Sequence, residues 1–155
     1  MSRARVLLHL AALVVPFAVA AVWSIIANRT DTGFDLEQTV IFGGLGALSA
    51  QVAAALRWRA LDRRAHAGEG AWKAGIGMAA ITHVLFGVLF AAAMNASVLW
   101  LQPEGASGAR DVMLQVVFFV AVSMLVVGVA TFPLTAALAQ GIAALRRKEL
   151  ADGAR

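Results

Sequence analysis

Residues 112–145 read VMLQVVFFVAVSMLVVGVATFPLTAALAQGIAAL and contain no Asp, Glu, Lys or Arg. An α-helix rises about 1.5 Å per residue, so about 20 apolar residues cross the hydrocarbon layer of a bilayer. This stretch is longer than one perpendicular crossing requires. A water-soluble domain does not keep so long a run free of charge, and we therefore expect the stretch to lie in a membrane.

Three further stretches share this property. Residues 6–28, 38–56 and 74–103 also lack charged side chains. Over all 155 residues the chain is 61% hydrophobic and 14% charged, against about 45–50% and about 25% in an ordinary soluble domain. The sequence thus predicts an all-α integral membrane protein. Its four spans are expected at about residues 6–27, 38–56, 74–101 and 112–133.

The connections between these spans are short, which makes sequential helices neighbours. We therefore expect residues 1–155 to form a single membrane domain, an antiparallel four-helix bundle. Asp35 lies three residues before Gln38, the spacing of a capping residue at a helix start. Pro133 is the expected kink in the last helix, because proline removes one backbone donor. The long stretch must tilt, kink or run past the membrane surface. With a kink at Pro133, residues 134–150 would form an amphipathic helix on the cytoplasmic membrane surface.

The basic residues are distributed unequally between the two sides of the predicted bundle. Of the 13 lysines and arginines, only Arg29 and Arg110 lie in the first and third loops. Cytoplasmic loops carry an excess of Lys and Arg, so both termini are expected in the cytoplasm, as in a multi-pass protein of a bacterial inner membrane. Tryptophan favours the membrane interfaces, and this residue occurs near span ends at Trp23, Trp58, Trp72 and Trp100.

The first span has a second interpretation. Arg3 and Arg5, an apolar run and Ala18-Val19-Ala20 are also typical of a cleavable signal peptide over residues 1–20. The apolar run continues past Trp23, however, and exceeds the usual ~7–15 residues of such a signal. A retained span is favoured, and cleavage would leave three spans.

Small residues recur at four-residue spacing in the first three spans. Close backbone approach along such ridges supplies much of the packing energy between helices in lipid. We interpret the ridges as helix–helix contacts, with a pore lining as the alternative. They are Ala12, Pro16, Ala20 and Ser24; Gly43, Ala47, Gln51 and Ala55; and Gly75, Ala79, His83, Gly87, Ala91 and Asn95.

Four polar side chains are expected inside the membrane. Gln51 and His83 lie at matching depth, about 6 Å to the cytoplasmic side of their span midpoints. Asn95 and Gln115 match about 12 Å to the outer side. The sequence predicts two hydrogen-bonded pairs, Gln51–His83 and Asn95–Gln115, each worth about 0.6–2 kcal/mol.

His83 is the one titratable residue predicted deep in the membrane, where such residues often serve function. A structural histidine and a functional one both fit the sequence. His9 lies near the inner interface and His66 in a loop, so a haem held by two histidines of one chain is not expected. Two copies of His83 in a symmetric dimer remain an open arrangement. No cofactor is predicted.

The predicted spans lack carboxylates, and the chain has no Cys. Proton-coupled transporters usually depend on buried acidic residues or histidine relays, and thiol chemistry requires cysteine. No nucleophile–base set, metal cluster or phosphate-binding loop is present either. We therefore predict no catalytic, cofactor-binding or metal-binding residue, and expect the protein not to be an enzyme.

The pI of about 11.1 reflects basic residues that flank the spans, which indicates a membrane surface as partner and not nucleic acid. Cations near the inner leaflet each gain about 1 kcal/mol from anionic lipid. An acidic protein partner is the alternative. The candidate lipid- or partner-facing cluster comprises Arg57, Arg59, Arg63, Arg64, Arg146, Arg147 and Lys148.

These observations favour a non-catalytic interaction or accessory protein of the inner membrane. It would act as a complex subunit, an assembly factor or an immunity-type protein through intramembrane helix contacts, with a membrane protein or a second copy as partner. The alternative is an oligomeric channel or transporter for a small solute, with a polar pathway that includes His83. A membrane enzyme comes third, because no residue can be given a catalytic role.

Overall fold

The computed structural model describes residues 2–29, 35–101 and 107–153, and their regular structure is entirely helical. Four helices in these ranges are long and apolar enough to cross a membrane, which confirms the predicted class. Residues 31–33 (Asp-Thr-Gly), which are typical of a turn, and residues 102–105 (Gln-Pro-Glu-Gly), which are expected to break the third span, lie outside the described residues. The elements are α1 (Arg3–Asn28), α2 (Leu36–His66), α3 (Trp72–Leu101), α4 (Ala109–Val122), a π-helical turn (Ser123–Val127) and α5 (Gly128–Gly153).

The start and end of α2 follow from its sequence. Asp35 caps the first turn, and its Oδ1 accepts a hydrogen bond of 2.8 Å from the backbone N–H of Gln38, as predicted. The helix continues past the predicted span to His66, and Gly68 follows with φ of 71°. The Gly68 N–H bonds to Ala65 O and the Glu69 N–H to Arg64 O. This paired closure is the Schellman motif, for which a left-handed glycine is favoured.

The fourth helix differs from the prediction. α4, the π-helical turn and α5 form one continuous apolar helix from Ala109 to Gly153, with Pro133 inside it. Residues 134–150 are therefore not a separate helix. Ala139 and Ala143 are fully buried in a cluster that includes Leu61 of α2 and Met78 of α3. Packing of this kind offsets the ~3 kcal/mol that an internal proline costs a helix.

Two glycines of α3 bring it close to the fourth helix. A Cβ at Gly75 would lie 2.6 Å from the Cα of Ala136, and one at Gly87 would lie 2.8 Å from the backbone N of Val120. Only glycine fits this separation, and Gly75 and Gly87 are both buried. The small-residue ridge predicted along α3 is thus a helix contact.

The ridge of α2 is shorter than predicted. Gly43 and Ala47 are buried, but Ala55 is exposed. Gly43 and Gly46 instead face α1, where they accommodate the ring of Phe17 and the ring of Pro16 respectively. The α2 ridge therefore ends before Ala55 and serves the contact with α1.

The helices are not equally enclosed. α2 and α3 are central, α1 packs on α2, and α5 reaches α1, α2 and α3. Within the described ranges, α4 packs on α3 but approaches neither α1 nor α2. The bundle is consequently open between α1 and the fourth helix at the level of α4. A cleft lies further along, where the π-helical turn and α5 supply its lining from the fourth helix.

Candidate functional site

The cleft between α1, α2, α3 and the fourth helix has a volume of about 180 Å³. Its walls are mostly alanine, valine and aromatic side chains, and no charged residue lines it. Four hydroxyl or imidazole groups lie on one wall, formed by α3 and the fourth helix. This polar wall consists of Thr82, His83, Ser123 and Thr131, with Thr135 one turn further on.

His83 is the centre of the polar wall. Its side chain is 5% exposed, its Nδ1 lies 2.6 Å from Ser123 Oγ, and its Nε2 lies 2.7 Å from Thr131 Oγ1. The ring of Phe132 stacks on the imidazole at a centroid distance of 5.6 Å. A neutral imidazole has one donor and one acceptor nitrogen, so one hydroxyl donates to the ring and the other accepts from it. His83 is fully hydrogen-bonded.

The π-helical turn positions both hydroxyls. Residues eight apart in a regular α-helix are separated by about 80° around the axis. The extra residue of a π-turn reduces this angle to about 20°. Ser123, at the start of the turn, and Thr131 therefore lie on one face of the helix and reach the two nitrogens of one ring. Turns of this type occur frequently at functional sites.

The predicted pair Gln51–His83 is wrong. Gln51 bonds to α1 instead, where its Nε2 donates to the backbone carbonyl of His9 at 2.7 Å and its Oε1 lies 2.8 Å from His9 Nδ1. A matching depth along two helices does not determine which neighbour a side chain faces. The face of α2 that carries Gln51 packs on α1, and α3 meets another face.

The second predicted pair is confirmed. Asn95 Nδ2 donates to Gln115 Oε1 at 2.7 Å across α3 and α4, and also to the carbonyl of Ala91 at 2.8 Å. The amide of Asn95 thereby links the first half of α4 to α3. A functional role of Asn95 and Gln115 stays a prediction.

The predicted basic cluster divides into paired and exposed members. Arg146 Nε contacts Asp62 Oδ1 at 2.8 Å, and Arg146 Nη1 contacts Glu149 Oε2 at 3.3 Å. Arg64 pairs with Glu69 at 3.4 Å, and Arg147 donates to the carbonyl of Glu69. These contacts join α2, the α2–α3 loop and the end of α5. The exposed members are Arg59, Arg63 and Lys148.

Arg57 is different from the other members of the cluster. Its Nε is buried and has no hydrogen-bond partner among the described residues. The guanidinium lies over Gly77 of α3, where a Cβ would come within 2.9 Å of it. Glycine at this position thus leaves room for the Arg57 side chain between α2 and α3.

Sequence reasoning did not identify Ser123 and Thr131 as site residues. Both are small hydroxyl residues inside an apolar run, and such residues often bond to their own helix. The sequence signal is that Ser123 and Thr131 are eight residues apart. This spacing places two side chains on the same helix face only when a π-turn lies between them. No composition rule predicts that turn.

Four packed helices, each long and apolar enough to cross a bilayer, identify the chain as a small multi-pass membrane protein. Comparison with protein-family models, with curated proteins and with solved structures gives no match to the chain. The proposals below therefore follow from its own sequence and geometry.

Proposed function

We propose that the protein is a non-catalytic interaction or accessory protein of a bacterial inner membrane. It binds a membrane-protein partner through α4, as a complex subunit, an assembly factor or an immunity-type protein. In this proposal the four helices run antiparallel and both termini face the cytoplasm.

The helix contacts support the antiparallel order. Phe17 meets Gly43 while His9, earlier in α1, meets Gln51, later in α2. Ala71 bonds to Gln140 at 2.9 Å, whereas Asn95, later in α3, bonds to the earlier residue Gln115. Contacts of this sense arise when neighbouring helices point in opposite directions.

The observation that carries the proposal is the incomplete packing of α4. None of the described residues of α4 is buried, and the most apolar window of the fourth helix is 11% buried, as in α1, against 28% in α2 and α3. α4 touches α3 alone among the other three spans. In lipid, helix association is driven by packing and interhelical hydrogen bonds, so a helix with one neighbour retains free contact surface for a partner.

The deep polar groups support a non-catalytic role. His9 with Gln51, Asn95 with Gln115, and His83 with two hydroxyls each satisfy one another. These groups lie between two pairs of helices, α1 with α2 and α3 with the fourth helix, and form no continuous polar path through the described residues. A channel in one protomer therefore has no observation in its favour, and a channel between protomers stays the alternative.

The exposed basic residues add a second contact to this proposal. Arg59, Arg63 and Lys148 are exposed at the end of the bundle that carries the ion pairs. Each is available to anionic lipid headgroups, which attract basic residues near the cytoplasmic surface. We infer that this end lies against the inner leaflet.

Site-specific crosslinking combined with purification tests the α4 interface. A photoreactive amino acid replaces Val117 of α4, which is 61% exposed, or Leu48 of α2, which is 53% exposed. The protein is then crosslinked in native membranes and purified in mild detergent for mass spectrometry. We expect one discrete partner adduct from position 117, none from position 48, and the same partner in the uncrosslinked preparation.

The opposite result would be a protein that purifies without a partner and gives equal lipid adducts at both positions. Such a protein, if it also moved solute across liposome membranes, would fit the channel alternative. The partner proposal would then be abandoned.

A further inference from the structure

We propose that the cleft binds the neutral ring of a lipid-soluble quinone, which accepts a hydrogen bond from the hydroxyl pair held by His83. This site is separate from the α4 surface and does not depend on the partner proposed above. It assigns a small-molecule ligand to an apolar cleft that has one polar wall.

The volume and charge of the cleft fit a ring of this kind. Its volume of about 180 Å³ exceeds that of an engineered apolar cavity of about 150 Å³ that accepts benzene. The lining residues carry no formal charge. A charged lipid headgroup would lose its hydration there without compensation, so the ligand must be neutral.

Ser123, Thr131 and His83 of the polar wall have one more hydrogen-bond donor than the bonds among them use. Ser123, Thr131 and a neutral His83 together have three donors: two O–H groups and one N–H. The two bonds at the imidazole use two of them. The third belongs to the hydroxyl that accepts from the ring, and it is free to donate into the cleft.

Thr82, which also lines the cleft, lacks this freedom. Its Oγ1 donates to Met78 O at 2.9 Å, the usual pattern of a hydroxyl bonded to its own helix. Ser123 and Thr131 depart from this pattern because the imidazole holds them, so the wall presents a donor to an acceptor oxygen such as a quinone carbonyl.

The remaining walls suit a flat ring with an apolar tail. Trp23, Phe42 and Phe86 line the cleft, and the rings of Phe42 and Phe86 lie 6.0 Å apart. Aromatic faces stack on planar rings in offset or tilted arrangements. In the proposed pose the ring lies between these aromatic side chains and the polar wall, and its isoprenoid tail stays among the lipid chains.

Calorimetric titration of the full-length protein in nanodiscs of neutral lipid tests the site, with ubiquinone-1 as the probe and empty nanodiscs as the blank. We expect saturable binding to the wild-type protein. Thr131→Val and Ser123→Ala should each weaken it about tenfold, because each loses one member of the hydroxyl pair. The matched control is Thr39→Val, because the Thr39 hydroxyl bonds to Asp35 O outside the cleft. This variant should bind ubiquinone-1 as tightly as the wild-type protein.

A second variant leaves the polar wall untouched. Ala12 lines the cleft from α1, and Ala12→Leu places a larger side chain in the space of the ring. We expect this variant to fold, since Ala12 is only partly buried, and to lose ubiquinone-1 binding at least tenfold.

Two results would overturn the proposal. One is wild-type affinity in Thr131→Val, Ser123→Ala and Ala12→Leu together. The other is equally strong competition by decylbenzene, which has no oxygen and would reveal a groove for hydrocarbon alone. Crosslinking at Val117 is scored separately, so failure at the cleft leaves the partner proposal standing, and the reverse holds as well.

Discussion

The side-chain amide of Gln51 makes both of its hydrogen bonds to one residue, His9. The amide nitrogen donates to the His9 carbonyl at 2.7 Å, and the amide oxygen lies 2.8 Å from the imidazole Nδ1. This double contact ties α1 to α2 at a partly buried position. Because Gln51 bonds to α1, His83 of α3 bonds to the fourth helix instead. The structure thus has two polar sites, His9–Gln51 and the polar wall around His83, where the sequence predicts the single pair Gln51–His83.

A double-mutant cycle distinguishes the two arrangements. We expect His9→Leu and Gln51→Leu to be coupled by about 0.6–1.5 kcal/mol in the free energy of unfolding, the range of interhelical hydrogen bonds in membranes. His83→Leu and Gln51→Leu should be additive, because they share no partner. Unfolding in mixed micelles measures the three single and two double variants, and coupling of Gln51 to His83 would contradict the structure.

The predictions from sequence agree with the structure for features that position along the chain alone determines. Span number and the Asp35 cap depend on residues close together in the chain, and the Asn95–Gln115 pair crosses the first available interface between two consecutive spans. Gln51 had neighbours on two sides at the same depth, and helix rotation about its own axis decided between them. That rotation results from glycine contacts such as Gly43 on Phe17, which a depth count does not contain.

Residues 134–150 continue the fourth helix for a similar reason. The prediction from sequence gives proline the weight that it has in an isolated helix, where it ends or kinks the element. Its local effect is one missing backbone bond, whereas Ala139 and Ala143 gain complete burial when the helix continues. The π-turn at Ser123 is equally hard to predict from sequence. It changes the helix face on which every later residue lies, but its own residues have no distinctive composition.

Gly75 provides a test of close packing between α3 and α5. A Cβ there would lie 2.6 Å from both Ala136 Cα and Thr135 O, so Gly75→Ala must move one helix against backbone atoms. We expect a loss of about 2–3 kcal/mol in unfolding free energy, as for other overpacked sites. The control is Gly141→Ala, which meets nothing within 4 Å and should be neutral or stabilising by up to about 1 kcal/mol. Equal effects of the two substitutions would rule out the close approach.

Pro133 is exposed inside the continuous helix, which makes its replacement informative. Pro133→Ala restores a backbone donor, and we expect the free energy of unfolding to rise by about 1–2 kcal/mol. Thermal unfolding followed by circular dichroism measures the change, with Pro16→Ala as a comparison at the other internal proline. If residues 134–150 formed a separate surface helix, the substitution would leave stability unchanged.

The membrane orientation is open to a direct test, because the chain has no native cysteine. His66→Cys places a thiol at the end of α2, where the native side chain is exposed, and Arg110→Cys places one at the exposed start of α4. With both termini in the cytoplasm, a membrane-impermeant maleimide added to intact cells should label position 110 and spare position 66. Permeabilised cells provide the control, in which both positions react. Labelling of position 66 alone in intact cells would show that the bundle has the opposite orientation. Arg59, Arg63 and Lys148 could then not meet the inner leaflet.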